Sequence, residues 1–143
     1  MKTERKIILL ADDDSDYLFQ MKINLEKFGF NVIIAEGQKQ AEIAINELKP
    51  DIAIFDLMME NEDSGFILSY KCKEKYPDVP VMIVTSVAAQ TGYSFGITNE
   101  EEKKWIKADL YLEKGLTADQ LCNEINKLLS VKNGKANSIG IGR

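Results

Sequence analysis

The stretch "IILLADDDSDY", residues 7–17, runs from unbroken apolar character into four acids within five positions, Asp12, Asp13, Asp14 and Asp16. A short apolar run of this length reads as a buried strand. Directly after it, Leu18, Met21, Leu25 and Phe28 recur at helical spacing, and Gly29 supplies a stop. Strand, acids and helix make one βα unit, with the acids at the carboxyl end of the strand. Asp14 and Asp16 read as caps and first-turn acids of the helix, where negative charge is favoured. Asp12 and Asp13 are left over.

The same unit recurs along the chain. "NVIIA" is a second strand, and Ala41, Ala44, Ile45 and Leu48 mark a second helix closed by Pro50. "DIAIF" is a third strand ending at Asp56, with Ser64 as cap of a third helix running to about Tyr76. "VPVMIVTS" is a fourth strand. A loose stretch then leads into "TNEEEKKWIKA", where Thr98 and Glu101 fit a capping box. "DLYLEK" is a fifth strand. Thr117 and Gln120 fit another capping box, before a helix with Leu121, Ile125, Leu128 and Leu129 on one face. The strands are nearly all apolar rather than alternating, which indicates a parallel sheet covered on both faces. The prediction is an α/β fold of (βα)5 flavodoxin-like type, a doubly wound five-stranded parallel sheet in order 2-1-3-4-5. Residues 1–130 form one domain, and residues 131–143, small, polar and glycine-rich, are expected to be a disordered tail.

Composition removes several classes. A net charge of −5 without a Lys/Arg cluster disfavours direct nucleic-acid binding. The apolar runs are too short to insert in a membrane, the amino terminus does not read as a signal peptide, and cytoplasm is the expected location. The chain has no histidine, and Cys72 and Cys122 lie outside any CxxC pair. Zinc sites and Ser-His or Cys-His nucleophiles are therefore disfavoured, and both thiols read as structural.

In a doubly wound sheet, ligands bind outside the carboxyl ends of the strands where the strand order reverses. Those ends carry Asp12 and Asp13, Asp56, Thr85, and Lys114. Three carboxylates meeting at the switch point repel strongly, and one divalent cation relieves them. Oxygen donors without His or Cys indicate Mg2+ or Mn2+. A carboxylate beside such a cation can also act as a nucleophile toward phosphorus. Asp56, a lone acid ending a central strand, is the candidate.

With "LLADDDSD", "PDIAIFDLMM", "PVMIVTS" and "ADLYLEK" in this order, residues 5–130 resemble a response-regulator receiver domain, the phosphoacceptor module of two-component signalling. The resemblance implies a metal site of Asp12, Asp13, Asp56 and the Met58 backbone carbonyl. It implies Mg-dependent phosphorylation of Asp56 by a partner histidine kinase or phosphotransfer protein, with Lys114 and Thr85 contacting the phosphoryl group. Thr85 and Tyr111 are implied as the switch pair. A downstream partner would read the face of helix four, strand five and helix five. No enzyme activity beyond self-phosphorylation and self-dephosphorylation is expected. The sequence departs from the family pattern at Glu60, where proline is usual, and at Gly115, where a cis proline is usual. Without proline a cis bond is costly, so a trans bond or a strained cis bond is expected after Lys114. The stretch between Thr85 and Lys114 is also longer than usual. These departures keep an alternative open, a pseudo-receiver that binds partners without phosphorylation. A metal-dependent phosphatase is disfavoured because Met58 stands where such enzymes carry a second Asp. A flavin carrier is disfavoured because the acids after strand one repel phosphate.

Overall fold

The computed structural model describes residues 5–61, 63–85 and 108–133. Five strands, β1 (Ile7–Asp12), β2 (Asn31–Glu36), β3 (Ile52–Asp56), β4 (Val81–Thr85) and β5 (Leu110–Glu113), form a parallel sheet in order β2-β1-β3-β4-β5. The helices are α1 (Ser15–Lys27), α2 (Gln38–Glu47), α3 (Ser64–Lys75) and α4 (Ala118–Asn133), the last being the fifth helix of the predicted order. The predicted helix over "TNEEEKKWIKA" lies outside the described residues.

Alternation along the central strands sends side chains to two separate cores. Ile8, Leu10, Ile52, Ile54, Met82 and Val84 pack with Leu18, Met21 and Leu25 of α1 and Leu121, Ile125 and Leu129 of α4. Leu9, Ala11, Ala53, Phe55 and Val81 pack with Ala41 and Ile45 of α2 and Leu68 and Cys72 of α3. Both faces are thus covered, which is why these strands need no polar positions. Cys72 and Cys122 are buried free thiols.

The caps explain where the elements begin. Asp14 accepts from the N–H groups of Asp16 (3.1 Å) and Tyr17 (3.2 Å), capping α1. Gln120 N–H donates to Thr117 Oγ1 at 3.3 Å while Thr117 N–H donates to Gln120 Oε1 at 3.0 Å, the reciprocal box expected before α4. Several boundary expectations fail. Leu48, expected on the face of α2, is its C-cap in extended backbone outside the helix. Phe28 does not join the buried face of α1: it is the C-cap, outside the helix, and is half exposed, and Phe30 enters the core instead. Ser64 is not the cap of α3 but its first helical residue, with Asp63 at the cap position. Its hydroxyl is engaged elsewhere, accepting from Asn61 N–H at 3.0 Å and donating to Gln38 Oε1 at 2.7 Å. Helix α4 runs to Asn133, three residues into the expected tail, and the rest of that stretch lies outside the described residues.

Candidate functional site

All five strands run the same way, so their carboxyl ends share one edge. The β1–β3 register pairs Ala11 with Phe55, and one step further it sets Asp12 beside Asp56. Both are last residues of their strands and both are buried. Asp13, one residue beyond β1, is exposed. Each of the three offers a carboxylate oxygen such that all lie within 4.8 Å of one another. Lys114 follows β5, and its backbone N–H donates to the Thr85 carbonyl at 3.1 Å. Its ammonium lies 3.1 Å from Asp12 Oδ1 and 2.9 Å from Asp12 Oδ2, and 3.8 Å from Asp56 Oδ2. No peptide bond among the described residues is cis, so Lys114 reaches the acids through a trans Lys114–Gly115 bond.

Electrostatics record the crowding. Burial, then the Asp12 charge, pushes the Asp56 carboxyl up to about 7 against an ordinary 3.8, with Lys114 pulling the other way. Burial also raises Asp12, although bonds from Lys114 and the Asp14 N–H oppose it. Burial alone would lower Lys114, but its hydrogen bond to Asp12 and the charges of Asp12, Asp56 and Asp14 outweigh it and raise the ammonium. Three carboxylates with one lysine therefore remain electron-rich, the donor set of a hard divalent cation.

Of the other predicted site residues, Thr85 ends β4 and is buried. Its register partner is Glu113, while Ile83, two residues earlier, pairs with Tyr111. By alternation Thr85 and Tyr111 share one sheet face. Tyr111 packs edge-on against Phe66 of α3, with ring centroids 6.5 Å apart, and burial pushes its hydroxyl up to about 12. Met58 lies in the loop after β3 and is 38% exposed.

Two neighbours of the site escaped sequence reading. Glu60, noted only as a missing proline, caps α2 across space: Gln38 N–H donates to Glu60 Oε1 at 2.6 Å and Lys39 N–H to Glu60 Oε2 at 3.4 Å. The Gln38 N–H holds the Glu60 carboxyl below its usual range. Gly37, at φ 107°, leaves room for this contact, since a Cβ there would come within 2.8 Å of Glu60 Oε2. Tyr17, in the first turn of α1, lies under Lys114, whose Nζ is 4.8 Å from the ring centroid. Burial, then the charges of Asp12 and Asp56, raises the Tyr17 hydroxyl, as expected for a ring set beside the acids.

The acid pocket lies at the switch point of a doubly wound 2-1-3-4-5 parallel sheet, the place where such folds put their functional groups. The chain belongs to the response regulator receiver domain family of two-component systems, whose profile matches residues 8–126. The virulence transcriptional regulatory protein PhoP of Salmonella typhimurium is 26% identical over 132 residues, 92% of this chain and 55% of that protein. The phosphate regulon transcriptional regulatory protein PhoB of Pseudomonas aeruginosa is 26% identical over 126 residues, 87% of this chain and 52% of that protein. The chain thus spans about half the length of these curated relatives. Among solved structures, a CheY-like receiver domain protein from Methanospirillum hungatei superposes with TM-score 0.76 at 24% identity, over 93% of this chain and all of that one. The response regulator TrrA of Thermotoga maritima, solved in complex with Mg2+-BeF, superposes with TM-score 0.69 at 23% identity, over 86% of this chain and 98% of that one. No described helix is long and apolar enough to cross a membrane.

Proposed function

We propose that the chain is a phosphoacceptor switch in which a partner histidine kinase or phosphotransfer protein passes a phosphoryl group to Asp56. The observation that carries this reading is the meeting of Asp12, Asp13 and Asp56 within 4.8 Å, with the Lys114 ammonium 3.8 Å from Asp56. Asp12, Asp13, Asp56 and the Met58 carbonyl hold Mg2+ in this reading, and the ion supplies charge neutralisation for the transferring oxygens. An Asp56 oxygen attacks phosphorus, an O–P bond forms, and the bond to the donor histidine nitrogen breaks. Lys114 pairs with the incoming oxygens and the Thr85 hydroxyl donates to them. Phosphorylation adds negative charge and acceptor oxygens next to Thr85. Drawing Thr85 inward biases a two-state equilibrium in which Tyr111 moves, and a protein partner reads the changed face that in the predicted order is helix four, strand five (β5) and helix five (α4).

Intact-mass measurement after incubation with acetyl phosphate tests this. One added phosphoryl group is expected with Mg2+ present, none after chelation, and none in Asp56→Asn. A wild-type mass that stays unchanged with Mg2+ present would leave a partner-binding domain that is not phosphorylated.

A further inference from the structure

Lys114 has a weak carrier. Its four-carbon stem is among the most flexible of side chains. The residue after it, Gly115, has no side chain, and a Cβ built there would touch nothing within 4 Å. The backbone N–H is pinned to Thr85, but that fixes only the root of the arm. Among the described residues three groups meet its tip, the Asp12 carboxylate, Asp56 Oδ2 at 3.8 Å and the face of the Tyr17 ring. The two carboxylates belong to the acid cluster and are donors to any cation there. The ring is not shared with the cluster. A distance of 4.8 Å from ammonium to ring centroid lies within the range of cation–π attraction, which strengthens when the charge is shielded from water. The Lys114 side chain is 23% exposed.

Tyr17 is itself well anchored. Side chains in the first turn of a helix lean toward its amino end, here toward the carboxyl edge of the sheet. Its N–H donates to the Asp14 cap, and its ring packs against the core cluster of Ile8 and Leu10.

We infer that Tyr17 is a positioning residue, whose ring face seats the Lys114 ammonium beside Asp56 independently of the Asp12 carboxylate. The role in phosphoryl uptake rests on the phosphoacceptor reading above; the seat itself does not.

The test combines a spectroscopic and a kinetic measurement. In the wild type, the Lys114 ε-methylene resonance, assigned by its loss in Lys114→Arg, is expected upfield of the other lysines through the ring current of Tyr17. Tyr17→Phe keeps that shift, and Tyr17→Leu abolishes it. With acetyl phosphate and Mg2+, Tyr17→Leu is expected to slow uptake about three- to tenfold, and Tyr17→Phe to restore most of the loss. Tyr17→Met serves as a second non-aromatic variant should the leucine variant fail to fold. A wild-type Lys114 resonance at the ordinary lysine position overturns the seat without recourse to any Tyr17 variant. Uptake by the non-aromatic variant at the wild-type rate overturns the positioning role, as does a phenylalanine variant as slow as leucine. If the wild type takes up no phosphoryl group, the phosphoacceptor reading and the positioning role fall together, while the resonance still decides whether the ring seats the lysine.

Discussion

Replacing Asp56 by asparagine takes one charge out of the acid cluster while keeping the shape of the side chain. The carboxyl titrates at about 7 in the folded chain, against an ordinary 3.8. Below about pH 4 folded and unfolded chains both hold this proton, and it contributes nothing to the pH dependence of stability. Between about pH 4 and 7 the unfolded chain has released the proton and the folded chain keeps it, so stability falls as pH rises. Above about 7 the loss is complete, roughly 4 kcal/mol at about 1.4 kcal/mol per pH unit. Asparagine removes this burden; the pull of Lys114, 3.8 Å away, is already contained in the raised value. The metal-free Asp56→Asn protein should therefore be more stable than wild type by about 2–4 kcal/mol near pH 8, and melt about 5–15 °C higher. Near pH 5 the advantage should shrink to about 1–2 kcal/mol. Saturating Mg2+ should raise the melting temperature of the wild type far more than that of the variant. Calorimetric or denaturant unfolding at both pH values, with and without Mg2+, measures each of these. A difference between the two proteins that does not change with pH, or a variant less stable near pH 8, would refute the electrostatic reasoning.

A Cβ at Gly65 would lie 2.7 Å from the Asp56 carbonyl oxygen and 2.7 Å from Leu57 Cα, both backbone atoms, so Gly65→Ala must push α3 off the end of β3. We expect a loss of about 2 kcal/mol or more in urea unfolding, and an unchanged midpoint would show that α3 has slack here. Glu60→Ala removes the carboxylate that caps α2 and should lower stability by about 1 kcal/mol, with Glu60→Gln recovering part of it. Equal stability of the glutamate and alanine proteins would mean that water replaces the cap. Asp109 accepts from Val81 N–H at 2.8 Å and pairs with Lys73 at 2.8 Å, tying the start of β4 to the start of β5. Asp109→Ala should cost about 1–2 kcal/mol and speed amide exchange at Val81, and protection at Val81 equal to wild type would contradict this.

Strands β1, β3 and β4 were legible because they are buried on both sides and so carry no polar residue until their ends. The acid cluster was legible for the same reason: parallel strands bring their carboxyl ends to one edge, which places Asp12 and Asp13 beside Asp56 with Lys114 nearby. What escaped was set by contacts with no periodicity. Glu60 meets the amino end of α2 from 22 residues away in sequence, and nothing in "LMMENEDSGF" distinguishes a cap for another helix from a solvated acid. Tyr17 reads as one more residue of an amphipathic helix until Lys114, far along the chain, is laid over its ring. Ser64 looked like a cap by residue type, but Gln38 and Asn61 compete for its hydroxyl. Phe28 followed the helical period one turn too far, because Gly29, at φ 98°, turns the chain away beside it.

Lys114 is a cation on a tether. With its ammonium 2.9 Å from Asp12 Oδ2, a divalent ion would compete for a carboxylate that already holds a monovalent cation. The root of the arm is bonded to the Thr85 carbonyl at the rim of the same pocket, so an ammonium giving up Asp12 would stay within reach of the site. On the proposed reading, loading the metal and freeing the lysine for an anionic guest would be one exchange.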